Sequence, residues 1–189
     1  MTKKQTAHSI ADTIVSRRTI HEFRTDAVPD ESMIIKAIDA ARWAPNHHLT
    51  EPWQFYMPGQ ETIKKIIELN SEIVAAKIGT EAAAKKKQRW LRTPGWLVVS
   101  CDRTADELKM KEDYAACCCL MQNFMLYLWE QGIGVKWSTG DVIRDERFYD
   151  LLWIDPDAEE VIGIFWYGYP DEIPVTIRKP VEQCLVKLP

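Results

Sequence analysis

One stretch of this chain narrows its architecture more than any other. Residues 96–101 read WLVVSC, a continuous apolar run typical of a buried strand, and a second strand is read in EVIGIFWYGYP, residues 160–170. Thr93-Pro94-Gly95 separates the first run from what precedes it. Strands of this kind need covering layers, and helical segments are there to supply them. Ile10 and Ile14, four apart in HSIADTIVSRR, predict a short helix ending near two arginines. In VPDESMIIKAIDAARWAP, Asp30 is a candidate N-cap, Glu31 falls in the first turn, and Ile34, Ile38 and Ala41 share one face, with Pro45 closing the helix. WQFYM follows as a short strand between Pro52 and Pro58.

Further on, Ile63, Ile66, Ile67, Asn70 and Val74 mark another helix, and an Ala/Lys-rich helical stretch runs on towards Arg92. The longest helix is expected from about Asp106 to Gln131, with Gly132 at its C-terminal cap. A strand in GVKWSTG, a short helix around DERFYDLLW and an extended tail, IPVTIRKPVEQCLVKLP, complete the chain. Helices alternate irregularly with strands and the connections are too short for domain linkers. The reading is one α+β domain over residues 1–189, a central sheet covered by helices.

Charge and composition remove several function classes. Lys+Arg 24 against Asp+Glu 28 gives a net charge of −4, and the basic run at 85–87 sits in a helical context, where it reads as a solvated face instead of a nucleic-acid track. The most apolar helical stretch, YAACCCLMQNFMLYLW, is too short to span a bilayer and is broken by Gln122 and Asn123. The beginning lacks the apolar core of a secretory signal, and five cysteines are an odd number without paired spacing; both suit a reducing cytoplasm. Neighbours on a helix point about 100° apart, so Cys117, Cys118 and Cys119 cannot converge on one metal and are read as core packing.

Two segments invite a chemical reading. Arg17, Arg18 and Thr19 offer fork-shaped cations and a hydroxyl, the donors a phosphate monoester needs, although two arginines at a helix C-terminus also answer the helix dipole. APNHHLTEPWQF, residues 44–55, holds His47 and His48 side by side, without the i, i+4 spacing that lets two imidazoles share a metal. Glu51 is four after His47, but the flanking prolines argue against a helix that would align them, so no metal site is expected. The segment carries no nucleophile elbow. QGIGVK leads from a helix into a strand, the wrong order for a dinucleotide fingerprint. Of the eight tryptophans, Trp43, Trp53 and Trp137 stand beside polar turn residues, where they serve either as core anchors or as walls for a flat heteroaromatic ligand.

In order, these pieces resemble the FMN-dependent nitroreductase family over nearly the whole chain. The family's R-R-S, a following aromatic, a valine-proline and a helix are matched by SRRTIHEF and AVPDESMIIKAIDAARWAP. Its A-P-S-x-x-N-x-Q-P-W-x-F is matched by APNHHLTEPWQF, and the long helix before QGIGVKWSTG and the late IRKPVEQ agree with its other landmarks. The resemblance implies a mainly antiparallel central sheet flanked by helices, in an intertwined homodimer with FMN at the interface. It places Arg17, Arg18, Thr19 and Arg178 on the phosphate and ribityl chain, and Trp137, Ser138 and Thr139 along the flavin. Asn46-His47 replaces a serine pair, Leu49 an asparagine and Glu51 a glutamine. A short-chain subgroup has A-P-x-H here, similar to APNH, which implies that His47 and Trp43 approach the flavin of the partner subunit. His21 stands where many members carry a lysine or arginine near the flavin's pyrimidine edge. A histidine supplies a positive charge there only when protonated.

The implied activity is NAD(P)H-dependent reduction of nitroaromatics, quinones or related electrophiles by a ping-pong cycle, with the chemistry carried by the cofactor and no acid–base side chain named as catalytic. Other flavin chemistry on the same scaffold (flavin breakdown, dehalogenation, ring oxidation), a non-enzymatic FMN-binding module, and a histidine-based metal hydrolase are the rivals.

Overall fold

The computed structural model describes residues 9–189. His8 and the basic start of the chain, Lys3 and Lys4, lie outside the described residues. Helices α1 (Ile10–Ser16), α2 (Glu31–Ala41), α3 (Gln60–Ile78), α4 (Thr80–Leu91), α5 (Glu107–Glu130) and α6 (Glu146–Leu152) surround strands β1 (Trp53–Tyr56), β2 (Gly95–Asp102), β3 (Gly134–Ser138) and β4 (Glu159–Gly168). The sheet runs β1-β2-β4-β3, with every pair antiparallel.

Burial on both faces explains the continuous apolar runs. Leu97, Val99 and Cys101 of β2 enter one core with α2 and α5, whereas Trp96 and Val98 enter a second core with residues of α3, α4 and α6. Strand β4 divides in the same way, Phe165 and Tyr167 to one side and Ile164 and Trp166 to the other. Where β4 passes Val99 and Ser100 the register shifts: Val99 faces Gly163 and Ser100 faces Val161, so Ile162 is bulged out of the ladder. At the β1 end of the sheet, Tyr56 and Ser100 hydroxyls both donate to Glu159.

Helix starts agree with their caps. Asp30, Asp106 and Asp145 each accept backbone N–H groups at the heads of α2, α5 and α6. Gly132, at φ 74°, turns the chain after α5.

Four expectations need correction. Helix α2 stops at Ala41, earlier than expected, because the Pro45 ring excludes the carbonyl four residues before it and disfavours helical geometry at Ala44. The helical stretch from residue 60 to 91 is broken at Gly79, whose φ of 97° is open to glycine. Of the three adjacent cysteines only Cys117 is buried; Cys118 is half-buried and Cys119 exposed, as the 100° step requires. The basic run is not wholly solvated either, since Lys86 and Lys87 are half-buried and the Lys86 ammonium lies 5.6 Å from the Trp90 ring.

Helix α1 buries none of its residues; Ile10 and Val15 are 79% and 72% exposed. The segment from 173 to the end is extended apart from a 3-10 turn at Val181–Gln183, and Val175, Ile177 and Val186 are open to solvent.

Candidate functional site

The site is built around the edge of the sheet at β3. After α1 the chain runs extended beside that edge: Thr19 forms a parallel bridge with Val135, and the Ile20 N–H donates to the Val135 carbonyl at 3.2 Å. The buried Ile20 side chain pins this strap into the core, which leaves Arg17 and Arg18 half-buried and Thr19 and His21 exposed.

Arg17 and Arg18 differ in how they are engaged. The Arg18 guanidinium donates to the Val15 and Arg17 carbonyls at 2.7 and 2.9 Å, closing the end of α1. Arg17 makes no such bond among the described residues; burial, then Arg178 and Arg18, hold its pKa below the ordinary arginine value. Arg178, far along the sequence in the extended tail, is thus near enough to Arg17 for its charge to act on it. Among the described residues none of the three forms an ion pair. Arginines gathered without a carboxylate repel one another, and a dianion relieves that repulsion while taking the fork-shaped donors.

At the end of β3 the residues singled out, Trp137, Ser138 and the following Thr139, do not share one environment. Trp137 packs against Phe165, with ring centroids 5.1 Å apart, and its indole Nε1 donates to the Ile162 carbonyl at 3.0 Å. The bulge frees that carbonyl from the ladder, and the indole satisfies it. The Trp137 side chain is therefore committed to the core edge, whereas Ser138 is half-buried and Thr139 exposed, with the Thr139 carbonyl accepting from Arg144 at 3.2 Å. A Cβ at Gly163 would come within 2.2 Å of the Trp137 Nε1. Gly163→Ala is expected to destabilise the protein by about 1–3 kcal/mol through overpacking and to shift tryptophan fluorescence. A urea titration with the fluorescence followed through it checks both.

Among the described residues, the loop of residues 44–52 holds the densest group of positive φ angles. His48, Leu49 and Glu51 have φ of 55°, 54° and 45°, a region side chains other than glycine rarely adopt. Its geometry is held from two directions. Asn46 accepts the Glu51 N–H at 3.0 Å and donates to the Ala44 carbonyl at 3.2 Å. Thr50 Oγ1 donates to the carboxylate of Asp113 at 2.6 Å, and Asp113 is a buried residue of α5. The outcome is that His47 and Trp43 are presented to solvent, Trp43 81% exposed, while Trp53 is buried in the core. His47 and His48 contact one another, with centroids 3.9 Å apart. Among the described residues no group of three or more His, Cys, Asp or Glu is arranged to hold a metal ion.

The Thr50–Asp113 bond was missed from the sequence, although a signal existed: Asp113 is the one carboxylate on a stripe that continues through Ala116, Cys117, Leu120, Met121 and Phe124. A hydrogen bond to a charged group contributes about 1.5–3 kcal/mol. Thr50→Val is expected to release residues 46–51 and increase their amide hydrogen exchange, with the sheet unaffected.

A family model described as Nitroreductase family matches residues 14–169. YfhC of Bacillus subtilis (strain 168), whose name places it provisionally among the NAD(P)H nitroreductases, is 33% identical over 187 residues, covering 96% of this chain and 95% of that one. A nitroreductase-like family protein from Bacillus cereus superposes with a TM-score of 0.84 at 32% identity, over 100% of this chain and 98% of that chain. The FMN- and NADPH-dependent nitroreductase NfnB from Sphigopyxis sp. strain HMH shares the fold, with a TM-score of 0.76 at 15% identity over 96% of this chain and 100% of that chain.

Proposed function

The chain belongs to the nitroreductase family, and from that premise we propose that it is an FMN-dependent NAD(P)H oxidoreductase acting on nitroaromatics, quinones or related electrophiles. The observation that carries this reading is the group of Arg17, Arg18 and Arg178, with Thr19 next in the chain, cationic and without an ion-pair partner among the described residues. Its donor set fits a phosphate monoester, and no dinucleotide-binding fingerprint accompanies it. Relatives named for FMN and NAD(P)H support the choice of cofactor and donor.

Bound FMN supplies the two-electron chemistry between NAD(P)H and the acceptor. The chain's own residues bind and orient. Arg17 and Arg178 grip the phosphate, Arg18 holds the end of α1 while adding its charge, and Thr19 offers a hydroxyl to the ribityl chain. Ser138 and Thr139 would line the bound flavin, with Trp137 stiffening the strand that ends at Ser138. No side chain is assigned a proton-transfer role. Positioning and exclusion of water are the protein's contributions.

The working form is a homodimer, intertwined through the tail, with each FMN at the interface and with Trp43 and His47 walling the flavin of the partner. The uncovered aliphatic faces of α1 and of residues 173–188, and the exposure of Trp43 and His47, support this arrangement. Residues 1–189 form the one domain. A cytoplasmic location agrees with five free cysteines; among the described residues no helix is long and apolar enough to cross a membrane.

Initial-rate kinetics test the reading. With NADH or NADPH varied against a quinone or a nitroaromatic, parallel reciprocal plots are expected, as a ping-pong cycle requires. NAD(P)H oxidation independent of every such acceptor would overturn the assigned substrate class.

A further inference from the structure

Two of the cysteines meet inside the core. Cys101, near the end of β2, and Cys117, in the middle of α5, are both fully buried and belong to the same apolar cluster. The Cys117 thiol is hydrogen-bonded to Cys101, and that bond together with burial pushes its pKa above the ordinary thiol value. The Cys101 thiol in turn donates to the Asp102 carbonyl at 3.6 Å. A thiol is both a weak donor and a weak acceptor, so the two sulfurs and the carbonyl form a short relay where α5 packs on β2.

Each cysteine adjoins an anchor of the loop that carries His47. The Asp102 N–H donates to the Pro52 carbonyl at 2.7 Å, and Cys101 itself is paired with Trp53 in the β1–β2 register. Asp113, one helical turn before Cys117, accepts the Thr50 hydroxyl at 2.6 Å. Both anchors of a loop that holds His48, Leu49 and Glu51 at positive φ therefore stand next to the same pair of thiols.

We propose that Cys101 and Cys117 are a two-electron redox pair, converted by hydrogen peroxide to a disulfide that joins β2 to α5 and loosens residues 46–51 from their anchors. Two S–H bonds and the O–O bond break, one S–S bond and two O–H bonds form, and the two electrons lost by the sulfurs reduce the peroxide to two waters. A thiolate has to start the reaction, so the raised thiol makes it slow at neutral pH and faster as the pH rises. Burial restricts it to a small, uncharged oxidant. The bond draws the sulfurs from non-bonded contact to about 2.05 Å. A close-packed core passes such a displacement on instead of absorbing it. It reaches Asp113, about 6 Å along the same face of α5, where a short hydrogen bond tolerates little stretching. It also removes the S–H that Cys101 donates to the Asp102 carbonyl. The pair goes beyond the FMN reading and does not depend on it.

The test uses the full chain, first reduced and then treated with hydrogen peroxide. After alkylation under denaturing conditions and digestion, mass spectrometry is expected to find peptides linked through Cys101 and Cys117. The link should form faster in alkaline than in neutral buffer and open with dithiothreitol. Amide hydrogen exchange of residues 46–51 should rise about tenfold on oxidation and fall back on reduction. Cys117→Ala, treated in the same way, should show neither the link nor the rise. The double variant Cys119→Ser with Cys184→Ser, which removes the exposed thiols and leaves the core intact, should behave like the wild type. Peroxide-treated protein in which Cys101 and Cys117 are never linked would overturn the proposal. So would a linked pair with unchanged exchange at 46–51, because the loop would then be independent of the thiols.

Discussion

Arg17→Ala is expected to weaken FMN binding by one to two orders of magnitude while leaving the melting temperature of the apoprotein unchanged or slightly raised. The Arg17 guanidinium is influenced by the charges of Arg178 and Arg18 and makes no hydrogen bond among the described residues; only the Arg17 backbone, whose N–H donates to the Thr13 carbonyl at 3.0 Å, takes part in the end of α1. In the apoprotein it is a source of repulsion. With a phosphate in place, its loss removes a charge-assisted contact of about 1.5–3 kcal/mol, or tenfold to a hundredfold in affinity. Arg178→Ala should behave the same way. Arg18→Ala should differ, because its guanidinium also donates to the Val15 and Arg17 carbonyls, and its loss should lower apoprotein stability as well. Fluorescence titration with FMN, alongside thermal unfolding of each apoprotein, separates the three. If Arg17→Ala lowers apoprotein stability as much as it lowers FMN affinity, Arg17 serves the end of α1 and not the cofactor.

The second large effect is in mixed dimers. If His47 walls the flavin of the partner, pairing one Arg17→Ala chain with one His47→Ala chain puts both lesions at a single site: the site that lacks its phosphate grip also receives the mutated wall. The other site has Arg17 and His47 intact. Such dimers should keep about half of the FMN and half of the activity. Were His47 to act within its own chain, each site would carry one lesion and neither would be normal. Differently tagged chains, co-expressed and purified through both tags, give the mixed species. FMN content per dimer is the readout.

Much of this architecture can be read from residues close in sequence. Aspartates at 30, 106 and 145 cap helices where a helix start was expected, and the continuous apolar run WLVVSC is a strand buried on both faces. The ordered motifs brought the family within reach before any geometry was known. What stayed hidden depends on distant contacts. The three positive φ angles of the 46–51 loop fall on His48, Leu49 and Glu51, residues with no preference for that region, and are held partly by Asp113 from another helix. The orientation of Trp137 follows from a bulge on β4, and only the absence of a side chain at Gly163 makes room for it. Trp53 and Trp43 looked alike beside their turns; one is buried by the strand it begins and the other is exposed after the end of α2.

The central claim, that this chain binds FMN and passes electrons to it from a nicotinamide, is tested most directly by the visible spectrum of the purified protein under anaerobic titration with NADH and then NADPH. A yellow protein releasing about one FMN per chain, and bleached by at least one of the two donors, is the predicted result. Protein that remains colourless after addition of FMN, or bound FMN that neither donor bleaches, would contradict it.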